Sequence, residues 1–363
     1  MRILHVIPSL SKGGAERIVV ELANASNISG DEITVLLAYP VDYSLNQQLL
    51  DWEVKVCFIA SNNLLPQLKY IRLPFWISKN HKFVQSFDVI HCHLTFGLVF
   101  GSMLSIWRKS HGAKKPKLIA TCHMVGVRGK IEWINRAFSY FFDSFVLMAL
   151  DSRWREFITS CKRTNIDVVA NGISTNESAS SLKRQRVGSP KVIGTISRLE
   201  AERRPWQFLE VFSEISKLDS KGEYRFIIGG DGAERKKLEH LAKELNLNNT
   251  LIFAGLIENS DNFFSQIDFY VSMNVEGITG IAGLEAVFAG LPVVALQLLP
   301  EYSMGESDWI WSSIEPRHVA VKILELTKDI VKTQDLILYQ SDYAARNYST
   351  QRMLSEYKII YES

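Results

Sequence analysis

Short apolar, β-branched runs alternate with longer helical patterns along this chain, and the alternation occurs twice. Runs at residues 3–7, 33–38, 54–59, 89–92 and 118–121 are apolar throughout. That is how strands read when helices cover both faces of a parallel sheet. Helical patterns begin near Ala15, Leu45, Phe96 and Glu132. Residues 172–190 break the rhythm: they are rich in Gly, Ser and Thr, carry a basic cluster from Lys183 to Arg186, and show no apolar period, as a linker does. The pattern then restarts, with strands expected at 192–196, 225–228, 251–253, 269–271 and 293–296, and helices at 206–217, 233–245, 262–267 and 283–289. Alternation of this kind predicts an α/β fold of two doubly wound, Rossmann-like domains. At 363 residues the chain has the length for both. The expected division is 1–171, a linker at 172–190, 191–345, and a final helix at 346–363. In that helix Met353, Leu354, Tyr357, Ile360 and Tyr361 form one apolar stripe. Strand carboxyl ends of the two domains are expected to face each other across a ligand cleft.

Charge is divided unevenly. Residues 1–171 hold 20 Lys and Arg against 13 Asp and Glu, and the remainder hold 21 against 26, so a net +2 conceals a basic first half. A basic half attracts phosphate groups or an acidic lipid surface. Nucleic acid is excluded as a partner, because no binding motif is present and the basic residues do not gather on one element. The aromatic and basic stretches from Lys69 to Lys79 and from Trp107 to Lys117 suit peripheral contact with an anionic membrane. Residues 89–107 lack charge, but His91, His93, Thr95 and two glycines divide them into strand, loop and helix rather than a membrane span. The apolar run at 3–7 is too short for a signal-peptide core. Cys57, Cys92, Cys122 and Cys161 include no C-x-x-C pair and read as free thiols of a cytoplasmic protein.

Four segments carry chemistry. Gly13-Gly14, after the first strand, opens a helix whose N-terminus favours an anion. Gly229 to Gly232 forms a tight strand-to-helix junction of the kind that lines nucleotide sites. Glu276 and Glu285 bracket a glycine-rich loop through Thr279, Gly280 and Ile281 that leads into a helix. The helix amides suit a diphosphate, and the carboxylates suit sugar hydroxyls. Arg198 and Arg203 follow the first strand of the second half, where guanidinium groups can hold a diphosphate. Among the histidines, His91 and His93 are expected on opposite faces of a strand, which with His123 argues against a metal site. No D-x-D pair is present to anchor a metal diphosphate.

In this order the segments resemble the retaining glycosyltransferases of family 4, which have the GT-B fold. The resemblance extends from residue 1 to about residue 300 and includes Asn171-Gly172-Ile173 and Ala289 to Val294. It implies that the last helix crosses back to the first domain. It also implies transfer of a hexose-type sugar from a UDP-sugar or other nucleotide-diphosphate donor, without a metal or other cofactor. The acceptor would be a hydroxyl of a glycan or lipid-diphosphate-linked glycan in surface-polysaccharide synthesis, at the inner face of the cytoplasmic membrane. By the same resemblance Gly13 and Gly14 border the donor diphosphate, Arg198 and Arg203 contact it, and backbone around Gly230 and Thr279 to Ile281 meets the nucleotide and phosphates. Glu276 holds the donor sugar, Glu285 the ribose, and His123 stands by the reacting sugar. Three departures are visible. The loop between the glutamates carries one extra residue, Arg203 replaces the family's Lys, and Ala170 replaces its Pro. They keep a non-catalytic GT-B partner subunit in view; a UDP-sugar 2-epimerase, which would bind the same donor without an acceptor, is the other alternative.

Overall fold

The apolar runs become the strands of two parallel sheets in a computed structural model, which describes residues 1–10, 13–39, 44–60, 68–112, 115–123, 137–148, 166–174, 190–275, 278–297 and 309–363. The chain divides into two units: Met1–Ser174 with Tyr348–Ser363, and Thr175–Asn347.

In the first unit the chain runs through β1 (Arg2–Ile7), α1 (Gly14–Ile28), β2 (Glu32–Leu37), α2 (Ser44–Asp51) and β3 (Lys55–Phe58). It continues through α3 (Leu68–Lys79), α4 (His81–Gln85), β4 (Val89–His93), α5 (Leu94–Ser110), β5 (Lys117–Cys122), β6 (Ser144–Leu147) and β7 (Ile166–Val168). All seven strands are parallel, in the order β3-β2-β1-β4-β5-β6-β7. The two faces of this sheet differ in chemistry. Leu4, Val6, Ile90, Cys92, Leu118 and Ala120 pack into one apolar cluster with Leu73 and Ile77 of α3 and Phe96 and Phe100 of α5. The alternate positions, His5, His91, His93 and Thr121, project from the opposite face, as a period of two requires.

The second unit begins with β8 (Lys191–Ile196), a single 3₁₀ turn at Ala201–Arg203, α6 (Trp206–Leu218), β9 (Tyr224–Gly229), α7 (Arg235–Glu244), β10 (Leu251–Gly255) and α8 (Ser260–Phe264). Then follow β11 (Phe269–Val275), β12 (Ile278–Thr279), α9 (Ile281–Phe288), β13 (Val293–Gln297), β14 (Ser312–Ser313), α10 (Pro316–Lys328) and α11 (Ile330–Asn347). The sheet order is β10-β9-β8-β11-β13-β14, all parallel, with β12 folded antiparallel onto β11. Its core is mainly aliphatic, with Phe212 stacked on Phe226 at a centroid distance of 4.6 Å.

The last helix, α12 (Thr350–Glu362), belongs to the first unit. Ile173 and Ser349 form a parallel bridge there, with Ile173 N–H donating to Tyr348 O at 3.0 Å. A side chain at Gly172 would run into the Ser349 carbonyl, so the Asn171-Gly172-Ile173 segment receives the returning chain.

Strands β6, β7, β12 and β14 and helices α3, α4, α10 and α11 were not expected from the pattern. The four strands are two to four residues long, too short to show a period. Helix α8 starts two residues earlier than predicted, because the Asn259 side chain accepts from Asn262 N at 3.0 Å and caps it. The helix expected near Glu132 and linker residues 175–189 lie outside the described residues.

Candidate functional site

Strand order reverses direction at β1/β4 in the first sheet and at β8/β11 in the second. Ligands of open α/β sheets bind outside the strand carboxyl ends at such points. Both candidate sites lie at these edges.

In the second unit, Arg198 follows the end of β8, its side chain exposed and 3.5 Å from Glu202. Arg203 closes the adjacent 3₁₀ turn and is likewise exposed. Gly230 follows the end of β9 with φ +120°, donating to Gly255 O at 2.6 Å. A Cβ there would collide with the Ser197 carbonyl, so the β9 turn closes against the β8 loop only because the residue is glycine. Two backbone bonds join these loops, Ser197 N–H to Gly229 O and Leu199 N–H to Asp231 O, each 3.0 Å. Beside them β11 turns into α9. Gly280 is the N-cap, and Ile281 is the first residue of the helix. Thr279 is buried, and its hydroxyl meets that of Ser272 at 2.8 Å. A Cβ on Gly283 would strike Thr279 Oγ1, so the helix can begin directly over this hydroxyl pair. Glu285, half-buried one turn further on, bears electrostatically on the Tyr270 hydroxyl. That buried hydroxyl exchanges hydrogen bonds with the Ile196 backbone at 3.2 Å, at the end of β8. Arg198, Gly230, Thr279, Gly280, Ile281 and Glu285 thus share one sheet edge. Glu276 lies outside the described residues.

In the first unit, Gly13 caps α1 in an extended conformation and Gly14 is its first residue, exposed at the end of the β1 loop. One turn on, Arg17 pairs at 3.0 Å with the buried Glu21. Glu21 in turn accepts from Ser174 N at 3.2 Å and Thr350 Oγ1 at 3.4 Å, which fixes α1 against the returning chain.

His123 follows β5, and it is not alone. His5 Nδ1 lies 3.0 Å from His93 Nε2, and His93 Nδ1 lies 2.9 Å from His123 Nε2. His91 fills the adjoining position, with Nδ1 2.9 Å from Tyr361 Oη and Nε2 2.6 Å from Thr121 Oγ1, which also meets Tyr357 Oη at 2.9 Å. The expectation that His91 and His93 face apart is therefore corrected: residues two apart on a strand share a face. Their ring centroids are 4.0 Å apart. His5 was not singled out from the sequence. The parallel register pairs it with His91, and pairs His93 with Thr121, so one face must collect all four side chains. Burial holds the imidazoles neutral: His5 is lowered to about 3, His123 to about 4, and His91 and His93 well below their usual range. Ring nitrogens of His5, His91 and His93 lie within 4.8 Å of one another. Both nitrogens of His93 meet neighbouring imidazoles, whereas those of His91 meet Tyr361 and Thr121. Leu94, directly after His93, takes φ 59°. A leucine in the left-handed region marks strain at this switch point.

Comparison with known proteins gives the following matches. Residues 12–177 match the model of the Glycosyltransferase Family 4 domain, and residues 178–302 that of Glycosyl transferases group 1. Alpha-monoglucosyldiacylglycerol synthase of Streptococcus pneumoniae is 27% identical over 29% of this chain and 24% of its own length. The chain thus spans about a quarter of that relative. A Campylobacter jejuni enzyme, N-acetylgalactosamine-N,N'-diacetylbacillosaminyl-diphospho-undecaprenol 4-alpha-N-acetylgalactosaminyltransferase, is 22% identical over 76% of this chain and 75% of its own. Among solved structures, Anabaena Alr3699/HepE in complex with UDP-glucose superposes with a TM-score of 0.77 at 18% identity, covering 100% of both chains. That likeness shows the GT-B fold.

Proposed function

This chain belongs to glycosyltransferase family 4, and we propose that it transfers a hexose from a UDP-sugar to a hydroxyl of a glycan or lipid-linked glycan, with retention at the anomeric carbon. The observation that carries this reading is the carboxyl edge of the second sheet. There the exposed Arg198, the glycine turn at Gly230 and the start of α9 converge on one switch point. Cationic side chains and helix amides at one edge suit a diphosphate.

In the proposed reaction the bond between the anomeric carbon and the donor phosphate oxygen breaks, and the leaving UDP keeps the electron pair. The acceptor oxygen forms the new bond on the same face, and its proton passes to a leaving phosphate oxygen. Arg198, Arg203 and the backbone from Thr279 to Ile281 offset the charge that develops on the diphosphate, in the role a metal would otherwise fill. Gly13 and Gly14 border the diphosphate. Glu285 holds the ribose hydroxyls, Glu276 the sugar hydroxyls, and His123 meets the sugar. The names of the relatives, one acting on a diphospho-undecaprenol sugar, support a donor of this class and a lipid-linked acceptor.

A surface of the first unit supports membrane contact. Ile71 and Phe75 of α3 and Ile106 of α5 are 65%, 79% and 57% exposed. Pro74, Ile77, Met103, Ile106, Trp107 and Ser110 line a groove of about 310 Å³ between these helices. Arg72, Lys79 and Lys109 are exposed on the same two helices, and Asp88 is the only acidic residue between Glu53 and Glu132. Apolar and cationic groups together suit an anionic lipid surface. Among the described residues no helix is long and apolar enough to cross a membrane. The proposed location is therefore peripheral, at the inner face of the cytoplasmic membrane.

Thermal unfolding without added metal, in the presence of UDP, GDP, ADP and their sugar conjugates, tests the donor assignment. UDP at about a hundred times its dissociation constant adds about 2.7 kcal/mol of stability, and Glu285→Ala reduces the shift. Absence of any shift with all three nucleotides would overturn the assignment. Retention is checked by the anomeric coupling constant of the product, and an inverted product refutes it.

A further inference from the structure

The cluster at the edge of the first sheet holds more than the one histidine that the proposed reaction uses. His5, His93 and His123 form a continuous row, Nδ1 to Nε2 at 3.0 Å and Nδ1 to Nε2 at 2.9 Å. The outer nitrogens of the row, His5 Nε2 and His123 Nδ1, are buried and have no hydrogen-bond partner. His91 takes its own partners, Thr121 and Tyr361, and does not enter the row.

Counting protons restricts this row severely. A neutral imidazole carries one N–H and one bare nitrogen. Burial keeps each ring neutral. Three protons must then serve two hydrogen bonds, and each bond needs one donor and one acceptor. If His5 donates from Nδ1, His93 accepts at Nε2, must carry its proton on Nδ1, and donates to His123 Nε2. His123 then bears its proton on the open Nδ1. Reversing the first bond reverses all three. Two arrangements satisfy both bonds, and in each the three rings share one tautomer. A mixed arrangement leaves either two lone pairs or two N–H groups facing each other at about 3 Å in a buried site, which is unfavourable.

We propose that His93 and His5 are positioning residues that set the tautomer of His123, the three rings sharing one tautomer, all Nδ1–H or all Nε2–H. In the first arrangement His123 Nδ1 is an N–H donor, and in the second a lone pair. The row thereby fixes which role His123 offers a sugar hydroxyl, donor or acceptor. In neither arrangement does a ring carry charge. Only the catalytic consequence depends on the glycosyltransferase reading.

The experiment is nitrogen-15 NMR of the full chain labelled at histidine, with resonances assigned by single His→Gln variants. The expected result is that His5, His93 and His123 report the same protonated nitrogen, both with and without UDP. A folded protein in which His123 and His93 are protonated at different nitrogens overturns the proposal. The second measurement is steady-state transfer from UDP-glucose by His93→Phe and His93→Gln. The Phe variant is expected to lose about tenfold or more in kcat with an unchanged donor KM. The Gln variant, whose amide can donate on one side and accept on the other, is expected to recover part of that loss. Equal kcat for wild type and His93→Phe would overturn the positioning role. Matched tautomers in a chain that transfers no sugar would sink the assigned reaction and leave the coupled row standing.

Discussion

Each buried imidazole turns acidity into instability, and the sign follows from its direction of shift. In the unfolded chain a histidine titrates near about 6.5. In the fold His5 is held at about 3 and His123 at about 4, with His91 and His93 also well below the usual range, because burial penalises the charged ring. Above pH 6.5 neither state binds these protons and stability is unaffected. As pH falls below that, the unfolded chain takes up protons that the fold refuses. Stability then drops by about 1.4 kcal/mol per pH unit for each such histidine until the folded rings protonate. Urea unfolding at pH 7.5, 6 and 5 should show this slope, and His5→Phe should flatten it by one proton. A slope equal in the variant and the wild type would contradict the assignment. At this scale the positions of His123 and Arg198 at strand carboxyl ends were legible, since each follows an apolar run. It was unreadable at His5, which sits within an apolar run and becomes visible only through the register that sets it opposite His91. The facing of His91 and His93 needed no structure, only the two-residue period of a strand.

Among the elements, the strands at the sheet centres were the most legible, because burial on both faces forces a continuous apolar run. Helix α3 was not, since Pro74 interrupts its pattern and Ile71 and Phe75 face outward, against the usual apolar-in order. Turns were legible as glycine pairs, although what each glycine admits appears only in three dimensions. At Gly230 the left-handed φ of +120° and the Ser197 carbonyl together exclude any side chain. Gly230→Ala should therefore cost more than about 1 kcal/mol, the scale of a glycine-to-alanine change at an incompatible position. It should also weaken UDP binding, because the displaced loop carries Arg198. Gly112, whose φ is +64° with open space around its Cβ position, is the control, with a backbone penalty but no collision. Comparable stability and UDP affinity in the two alanine variants, measured by urea unfolding and calorimetric titration, would show that the Ser197 approach does not hold the loop.

For the whole molecule, the division into units is not the division of the sequence into halves. The first unit requires Tyr348–Ser363, and the second is one continuous segment, Thr175–Asn347. The amphipathic stripe of the last helix was legible, but a stripe does not state which surface it covers. That is decided by the histidine face of the first sheet, where Tyr357 and Tyr361 bond to Thr121 and His91. Met353, Tyr357, Ile360 and Tyr361 are all buried on that unit. At about 1.5–3 kcal/mol for each large side chain buried, their removal withdraws roughly 6–12 kcal/mol. That is comparable with the entire stability of a typical domain, about 5–15 kcal/mol. Removal would also leave the Thr121 and His91 side chains without two of their partners. Residues 1–174 produced alone should therefore fail to unfold cooperatively, whereas residues 175–347 alone should give a single transition that UDP raises. Adding a peptide of residues 348–363 to the first fragment should restore part of its cooperativity, because the bridge at Ile173 and the pocket for Tyr357 lie entirely within that unit. A cooperative, peptide-independent transition in residues 1–174 would mean that the helix covers the histidine face without being required for it. Uncovering His91 would then lessen the acid sensitivity argued above, because burial is its cause.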